Sequence, residues 1–273
     1  MPALLALASA ATFGFADFLG GMATRKASVV AATLVTNFAG GILAIVLAIL
    51  IDGRWSAGAV GWGALGGAFG LIGLVLLYQG LADGPNRLVS PVSAVVAAIV
   101  PIVVGVATGD RPGGLALLGL AIAPVAIFLV AGGDLKFGES AKRPLLLGLG
   151  AGIGFGAFFV FLDFTPADAG AVPLVAARVA SLGILIVAAL VRRPDIPSPP
   201  AVGVAAVAGT LDMTANGFFL WSTLEGDLAI VGALVSLFPA PTVLLAVLFL
   251  GERLDRKQAT GLLLAIATAA LLS

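Results

Sequence analysis

Three charged residues lie within long apolar stretches of this sequence, where a charge needs a specific chemical reason. Arg178 lies in "AARVASLG", Asp212 in "GTLDMTANG" and Asp17 in "FGFADFLGG". A charge in such surroundings costs several kcal/mol unless it is solvated, paired or neutralised. The three residues are therefore candidates for a polar site inside an apolar protein.

Arg178 and Asp212 lie on consecutive predicted helices at similar depth. Counted from the loop at 192–200, they are ~21 Å and ~17 Å along their helices at a rise of about 1.5 Å per residue. A salt bridge is one interpretation, since charges buried in a membrane usually pair. A ligand site is the other, because a guanidinium can exchange one carboxylate partner for another.

Asp17 has two interpretations as well. It lies about five residues from the end of its span, or ~8 Å, so its carboxylate can belong to the near interface. The alternative, which we favour, is a position on a polar pathway. Asp17 and Asp212 are then the candidate groups for proton coupling.

Other polar and aromatic residues complete the predicted site. Asn216 is one helical turn from Asp212, although hydrogen bonds between helices explain such residues more often. Tyr78 and Trp221 lie near the ends of the third and eighth apolar spans, where aromatic belts are an equal alternative. The predicted substrate-binding set is Asp17, Asn37, Tyr78, Arg178, Asp212, Asn216 and Trp221.

The composition places these residues in a membrane. Of 273 residues, 60% are hydrophobic and 10% are charged, whereas soluble domains carry roughly 25% charged residues. Apolar runs long enough to cross a bilayer as helices follow one another, and they do not alternate as barrel strands do. The pattern predicts an all-α multi-pass membrane protein with ten transmembrane helices at 3–22, 29–51, 57–81, 88–108, 113–132, 144–163, 172–191, 201–223, 228–250 and 257–272.

The two halves of the sequence repeat. "FGFADF" at 13–18 matches "IGFGAF" at 153–158, "LYQGLADG" at 77–84 matches "LWSTLEGD" at 220–227, and "GDR" at 109–111 matches "GER" at 251–253. Asn37 falls opposite Arg178. The shifts of 140 to 143 residues divide the chain into repeats at 1–133 and 144–273, each with five spans. An odd number of spans predicts an inverted second repeat, which is a common architecture of secondary transporters.

Several classes of function are excluded or made improbable by the residue types. There is no cysteine and no histidine, and the formal net charge is zero. We therefore expect no metal site, no cofactor, no nucleic-acid partner and no Ser/His or Cys/His enzyme. An aspartyl hydrolase would need two facing carboxylates, for one of which Arg178 competes. No phosphate-binding G-x-x-x-x-G-K-[S/T] motif occurs, which argues against transport driven by ATP hydrolysis in this chain. A cleaved signal peptide is disfavoured because no basic segment precedes "ALASAA".

Glycine and proline indicate how the spans pack. Gly148, Gly152 and Gly156 are spaced by four residues, which predicts one helix face for close packing. Pro101 lies near the middle of the fourth span, and Pro239 and Pro241 lie near the middle of the ninth. Prolines there predict bends in matching spans, as in a gate or a midplane site.

The chain resembles a known family over its whole length. The two five-span halves, the "G-x-F" of the first and sixth spans, "SPVSAVVAAIVPIVVGVATGDR" and "LFPAPTVLLAVLFLGERL" are similar to EamA-type members of the drug/metabolite transporter superfamily. The resemblance implies ten helices around a central cavity and export or exchange of amino acids, other metabolites or drugs. Similar proteins often have tryptophan where Phe13 stands and arginine where Asn37 stands.

Together these observations predict a secondary transporter that exports a small metabolite, such as an amino acid, or a drug by alternating access. A lipid or lipid-linked metabolite flippase is the alternative. We expect a monomer in the plasma (inner) membrane of a bacterium, with membrane lipids and a small-molecule substrate as its partners. Eleven lysines and arginines flank odd-numbered loops and two flank even-numbered loops, which predicts both termini outside, whereas the resemblance implies both termini inside.

Overall fold

The computed structural model describes residues 1–83, 86–133, 142–194, 197–251 and 253–273, without the side chains of Tyr78 and of 81–88. These residues form α-helices and no strands. In chain order the helices are α1 (Pro2–Thr24), α2 (Val29–Leu50), α3 (Ala57–Asp83), α4 (Asn86–Thr108), α5 (Gly114–Val130), α6 (Lys142–Asp163), α7 (Val172–Arg192), α8 (Pro199–Thr223), α9 (Leu228–Val235), α10 (Pro239–Leu250) and α11 (Arg256–Leu272).

The helices are those of a multi-pass membrane protein. Seven segments of the described chain are long and apolar enough to cross a bilayer: Pro2–Thr24, Val29–Leu50, Ala57–Leu77, Val89–Thr108, Lys142–Asp163, Val172–Arg192 and Leu228–Leu250. Helices α5 and α11 are shorter, at 17 residues each. Helix α8 has 25 residues but contains Asp212 and several other polar residues.

Two-fold related contacts join the two halves. Helix α1 packs on α8 as α6 packs on α3, and α2 packs on α8 as α7 packs on α3. At one such contact the backbone of Gly67 lies directly against the carbonyl of Ala177, and at the related one Gly209 lies against the carbonyl of Thr36. Gly67 and Gly209 are 142 residues apart, and Thr36 and Ala177 are 141 apart, so the repeat in the sequence is also a repeat in the structure.

Helix α6 packs closely on α4 through the predicted glycine face. A Cβ atom at Gly148 would approach the backbone of Val89, one at Gly152 would meet Val96, and one at Gly156 would meet Val100. The prediction of close packing at these three glycines is confirmed.

The ninth predicted span is two helices rather than one. Helix α9 ends at Val235 and α10 begins at Pro239, and we call residues 236–238 the α9–α10 break. Pro239 and Pro241 cannot donate backbone hydrogen bonds, which ends the regular helical pattern here. Helix α4, by contrast, is continuous through Pro101, so the bends in the two spans are not equivalent.

Phenylalanine side chains of three helices pack together next to this break. The ring of Phe13 on α1 is 6.2 Å from that of Phe159 on α6 and 6.4 Å from that of Phe238. Phe159 in turn packs on Phe219 of α8, with ring centroids 4.6 Å apart. We call these four residues the phenylalanine cluster.

We expect Gly209→Ala to destabilise the protein by roughly 1–3 kcal/mol, because its Cβ would overlap the backbone of Thr36, which cannot move as a side chain can. Gly203→Ala is a matched control on the same helix, with nothing within 4 Å of the added atom. Thermal unfolding of both variants in one detergent is the measurement. Equal melting temperatures would contradict the close approach of α2 and α8.

Candidate functional site

Arg178 is the centre of a hydrogen-bonded cluster formed by α2, α7 and α8. Its Nη2 donates to Oδ2 of Asp212 in an ion pair. Its Nη1 donates to Oδ1 of Asn37 at 3.0 Å. The side chains of Arg178 and Asp212 are 14% and 29% exposed, respectively, so the pair is largely removed from solvent. The predicted salt bridge between these two residues is confirmed.

The pairing of Asn37 with Arg178 locates the cluster between the two halves. These residues occupy equivalent positions in the repeats, 141 residues apart. Two equivalent residues can contact each other only where the two-fold relation brings both halves together. The charges break this symmetry, since the position equivalent to Asp212 is Gly70 when the 142-residue offset of Gly67 and Gly209 is applied.

Small residues make room for the arginine. A Cβ atom at Gly40 of α2 would lie 3.4 Å from Nε of Arg178, and one at Gly41 would lie 3.8 Å from its Cβ. The Asn37 amide is oriented by its own helix, because its Nδ2 donates to the carbonyl of Thr33 at 3.0 Å. Its oxygen is thereby directed to the guanidinium.

Asn216 extends the cluster along α8. Its Nδ2 donates to the backbone carbonyl of Asp212 at 2.8 Å and to the Asp212 carboxylate at 3.2 Å. This side chain therefore holds the carboxylate of its own helix and does not link two helices. Its Oδ1 is buried and has no hydrogen-bond partner in the described part of the chain, which leaves one acceptor for a ligand donor.

Asp17 lies beside this cluster and lines a pocket between α1 and α10. It is exposed, and the carboxylates of Asp17 and Asp212 repel each other electrostatically. Asp212 is paired with Arg178, whereas no ion pair of Asp17 is found among the described residues. The pocket has a volume of about 170 Å³ and is lined by Asp17, Phe18, Gly21, Met22, Arg25, Thr242, Ala246 and Leu250.

The remaining predicted residues are not brought into the cluster. Trp221 is nine residues beyond Asp212 on α8, or ~13 Å along the helix, and it is half-buried. The side chain of Tyr78 lies outside the described residues. The structure therefore brings together Asn37, Arg178, Asp212 and Asn216, with Asp17 nearby.

Sequence reasoning missed a second group of carboxylates at the other end of the molecule. Asp110, in the loop after α4, accepts a hydrogen bond from the backbone N–H of Ala229 at 2.8 Å and so caps α9. Asp163, the last residue of α6, lies within electrostatic reach of Asp110. Burial, followed by repulsion from Asp110, raises the pKa of Asp227 above its ordinary value. The match of "GDR" with "GER" was the available signal, although Glu252 lies outside the described residues.

Both the sequence and the fold of this chain are similar to those of known proteins. The duplicated helical architecture, with a charged cluster between two halves, is that of a polytopic membrane protein. The chain matches the EamA-like transporter family twice, over residues 1–132 and 142–273, and it belongs to that family. The fold is also that of a solved structure titled only "Crystal structure of protein", with a TM-score of 0.74 at 16% identity over 99% of this chain and 95% of that chain. No curated protein matches the chain.

Proposed function

We propose that the protein is a secondary transporter that exports a small metabolite, such as an amino acid, or a drug across the plasma membrane by alternating access. Ten membrane crossings then comprise α1 to α8, α9 with α10, and α11. The observation that carries this proposal is the Arg178 cluster, because it is polar, lies between two repeats, and belongs to a chain of a transporter family.

The cluster has the groups that a small polar substrate needs. The guanidinium of Arg178 can bind a substrate carboxylate in place of Asp212, and the free Oδ1 of Asn216 can accept a hydrogen bond from an ammonium or hydroxyl group. Asp17 supplies a further negative charge in the adjacent pocket. A zwitterionic or polar molecule would therefore find complementary charges here.

The surroundings of Asp17 support alternating access. From Asp17 the pocket extends along α1 to Arg25, next to the first loop. One turn in the opposite direction lies Phe13, which belongs to the phenylalanine cluster. The pocket lining thus reaches the ends of α1 and α10 next to the odd-numbered loops, and the phenylalanine cluster lies in the other direction. Opening at the opposite end would require the four rings to separate.

Transport by purified protein in liposomes tests the proposal. We expect at least one class among amino acids, sugars and cationic drugs to cross faster than in empty liposomes. Arg178→Lys should slow this flux at least tenfold, because lysine keeps the charge but lacks the planar fork. Arg54→Lys is the matched control, since Arg54 is 78% exposed. Lipid scrambling without flux of any solute would instead establish the flippase.

The orientation of the termini is a separate prediction. The lysines and arginines at odd-numbered loops predict that those loops are cytoplasmic. Cysteine labelling is free of background because the chain has no cysteine. Ser198→Cys, between α7 and α8, should resist a membrane-impermeant thiol reagent in intact cells, and Ala167→Cys, between α6 and α7, should react. Both positions are exposed in the structure.

The same two variants in permeabilised cells are the control, where both should react. Labelling of Ser198→Cys with protection of Ala167→Cys in intact cells would show that the termini are inside, as the family resemblance implies.

A further inference from the structure

The α9–α10 break contains buried oxygen atoms that have no hydrogen-bond donor. Ser236 is 0% exposed, and its Oγ has no partner in the described part of the chain. The carbonyl groups of Ala233 and Ser236 receive no backbone hydrogen bond from the residues of the break, because the N–H of Leu237 donates to Leu234 and that of Ala240 to Leu237. Ala233 is also 0% exposed.

No backbone donor of the break remains to satisfy these oxygens. The N–H groups of residues 236, 237, 238, 240 and 242 all donate to carbonyls within the segment, and residues 239 and 241 are prolines without an N–H. The first turn of α10 therefore lacks the free N–H groups that make most helix N-termini bind anions. The break offers acceptors and no backbone donors.

Helix α4 adds a further carbonyl at the same level. Pro101 of α4 touches Gly232 of α9, and Gly105 lies against the backbone of Ala229, so the two helices run antiparallel in close contact. Pro101 has no N–H for the carbonyl of Ala97, four residues earlier. The antiparallel register places Ala97 at the level of Ser236, and Ala97 is buried.

We propose that the α9–α10 break binds a sodium-sized monovalent cation. Buried carbonyl and hydroxyl oxygens without donors suit a small hard cation, and they repel an anion. The C-terminal end of α9 points its carbonyl dipoles at the same place, and unwound segments of membrane helices coordinate sodium in this way. Thr242, on the next turn of α10, lines the Asp17 pocket, so a bound cation would fix the helix that forms one wall of that pocket.

Cation-dependent unfolding tests this inference without any transport substrate. We expect NaCl to raise the melting temperature of the purified protein in a saturable way, relative to choline chloride at equal ionic strength. At tenfold the dissociation constant the shift should be about 3 °C or more. Ser236→Ala should abolish the shift and should not lower the melting temperature in choline, since it removes an unsatisfied buried hydroxyl.

Thr268→Val is the matched control. Thr268, on α11, has the other threonine or serine hydroxyl that is buried without a partner among the described residues, and this variant should keep the sodium response. Bound radioactive sodium should amount to about one ion per chain in wild type and Thr268→Val and to none in Ser236→Ala. Equal melting temperatures in sodium and choline, or an unchanged response in Ser236→Ala, would overturn the proposal, and the break would then hold water alone.

Discussion

Arg178→Leu is expected to destabilise the protein by about 3–5 kcal/mol, because it leaves the carboxylate of Asp212 buried without a counter-charge. It also removes the donor that Asn37 Oδ1 accepts from. Asp212→Leu should cost a similar amount for the converse reason. The double variant Arg178→Leu with Asp212→Leu should be more stable than Arg178→Leu alone, since neither charge is then left unpaired. Chemical or thermal unfolding in a single detergent measures all four proteins.

An exposed ion pair of the same chain supplies the control cycle. Nη1 of Arg54 lies 3.7 Å from Oδ2 of Asp168, and the two side chains are 78% and 57% exposed. Such surface pairs are coupled by about 0–1 kcal/mol. We therefore expect a large coupling for Arg178 with Asp212 and a small one for Arg54 with Asp168. Additive losses in both cycles would show that the buried ion pair does not form in the protein as it exists in detergent.

This pair also shows which parts of the site the sequence could predict. The depth of Arg178 and Asp212 follows from counting residues from one short loop, because the rise of a helix is fixed. Two opposite charges at one depth on consecutive helices then have a strong reason to meet. The contact of Asn37 with Arg178 was not predicted, because the sequence shows only that the two residues occupy equivalent places in the repeats. That any of these residues binds substrate remains a prediction.

Register between the repeats was less well predicted. The match of "FGFADF" with "IGFGAF" gives a shift of 140, but the structure relates α1 to α6 by 142 residues. Ser9 donates a hydrogen bond to the carbonyl of Ala215 at 2.7 Å, and at the related contact Gly73 lies against the carbonyl of Ala151. Glycine and phenylalanine recur every two residues in these segments, so an alignment of residue types cannot distinguish a shift of 140 residues from one of 142. The contacts between helices decide between them.

The α9–α10 break was predictable only as a bend. Two prolines show that regular hydrogen bonds fail near the middle of the ninth span. Which donors shift to nearer carbonyls, and which oxygens are left without a donor, depends on local geometry and on the packing of Pro101 against Gly232. The position of the break can therefore be predicted from the sequence, whereas the oxygen atoms available to a ligand can be identified only from the structure.

Asp17, in contrast to the break, could be singled out as a candidate site residue from the sequence alone, because a charged residue is rare within an apolar span. The structure places it in the pocket between α1 and α10, one turn from the phenylalanine cluster. It also places it within electrostatic reach of Asp212, which is already paired with Arg178. We therefore expect Asp17, rather than the paired Asp212, to be the carboxylate that can exchange a proton or bind a cationic group without breaking the ion pair.

Asp17→Asn should consequently leave the protein folded, with a melting temperature no lower than that of wild type, while transport falls at least tenfold or loses its dependence on pH. The amide has nearly the same shape as the carboxylate but carries no charge and exchanges no proton, so the chemistry changes and the packing does not. Flux of the substrate found in liposomes, measured from about pH 5 to pH 8 with and without a pH gradient, is the readout. Asp52→Asn is the control, because Asp52 is an exposed carboxylate in the loop after α2 and should behave as wild type. Full transport by Asp17→Asn at every pH would remove Asp17 from the mechanism and leave the Arg178 cluster as the substrate site on its own.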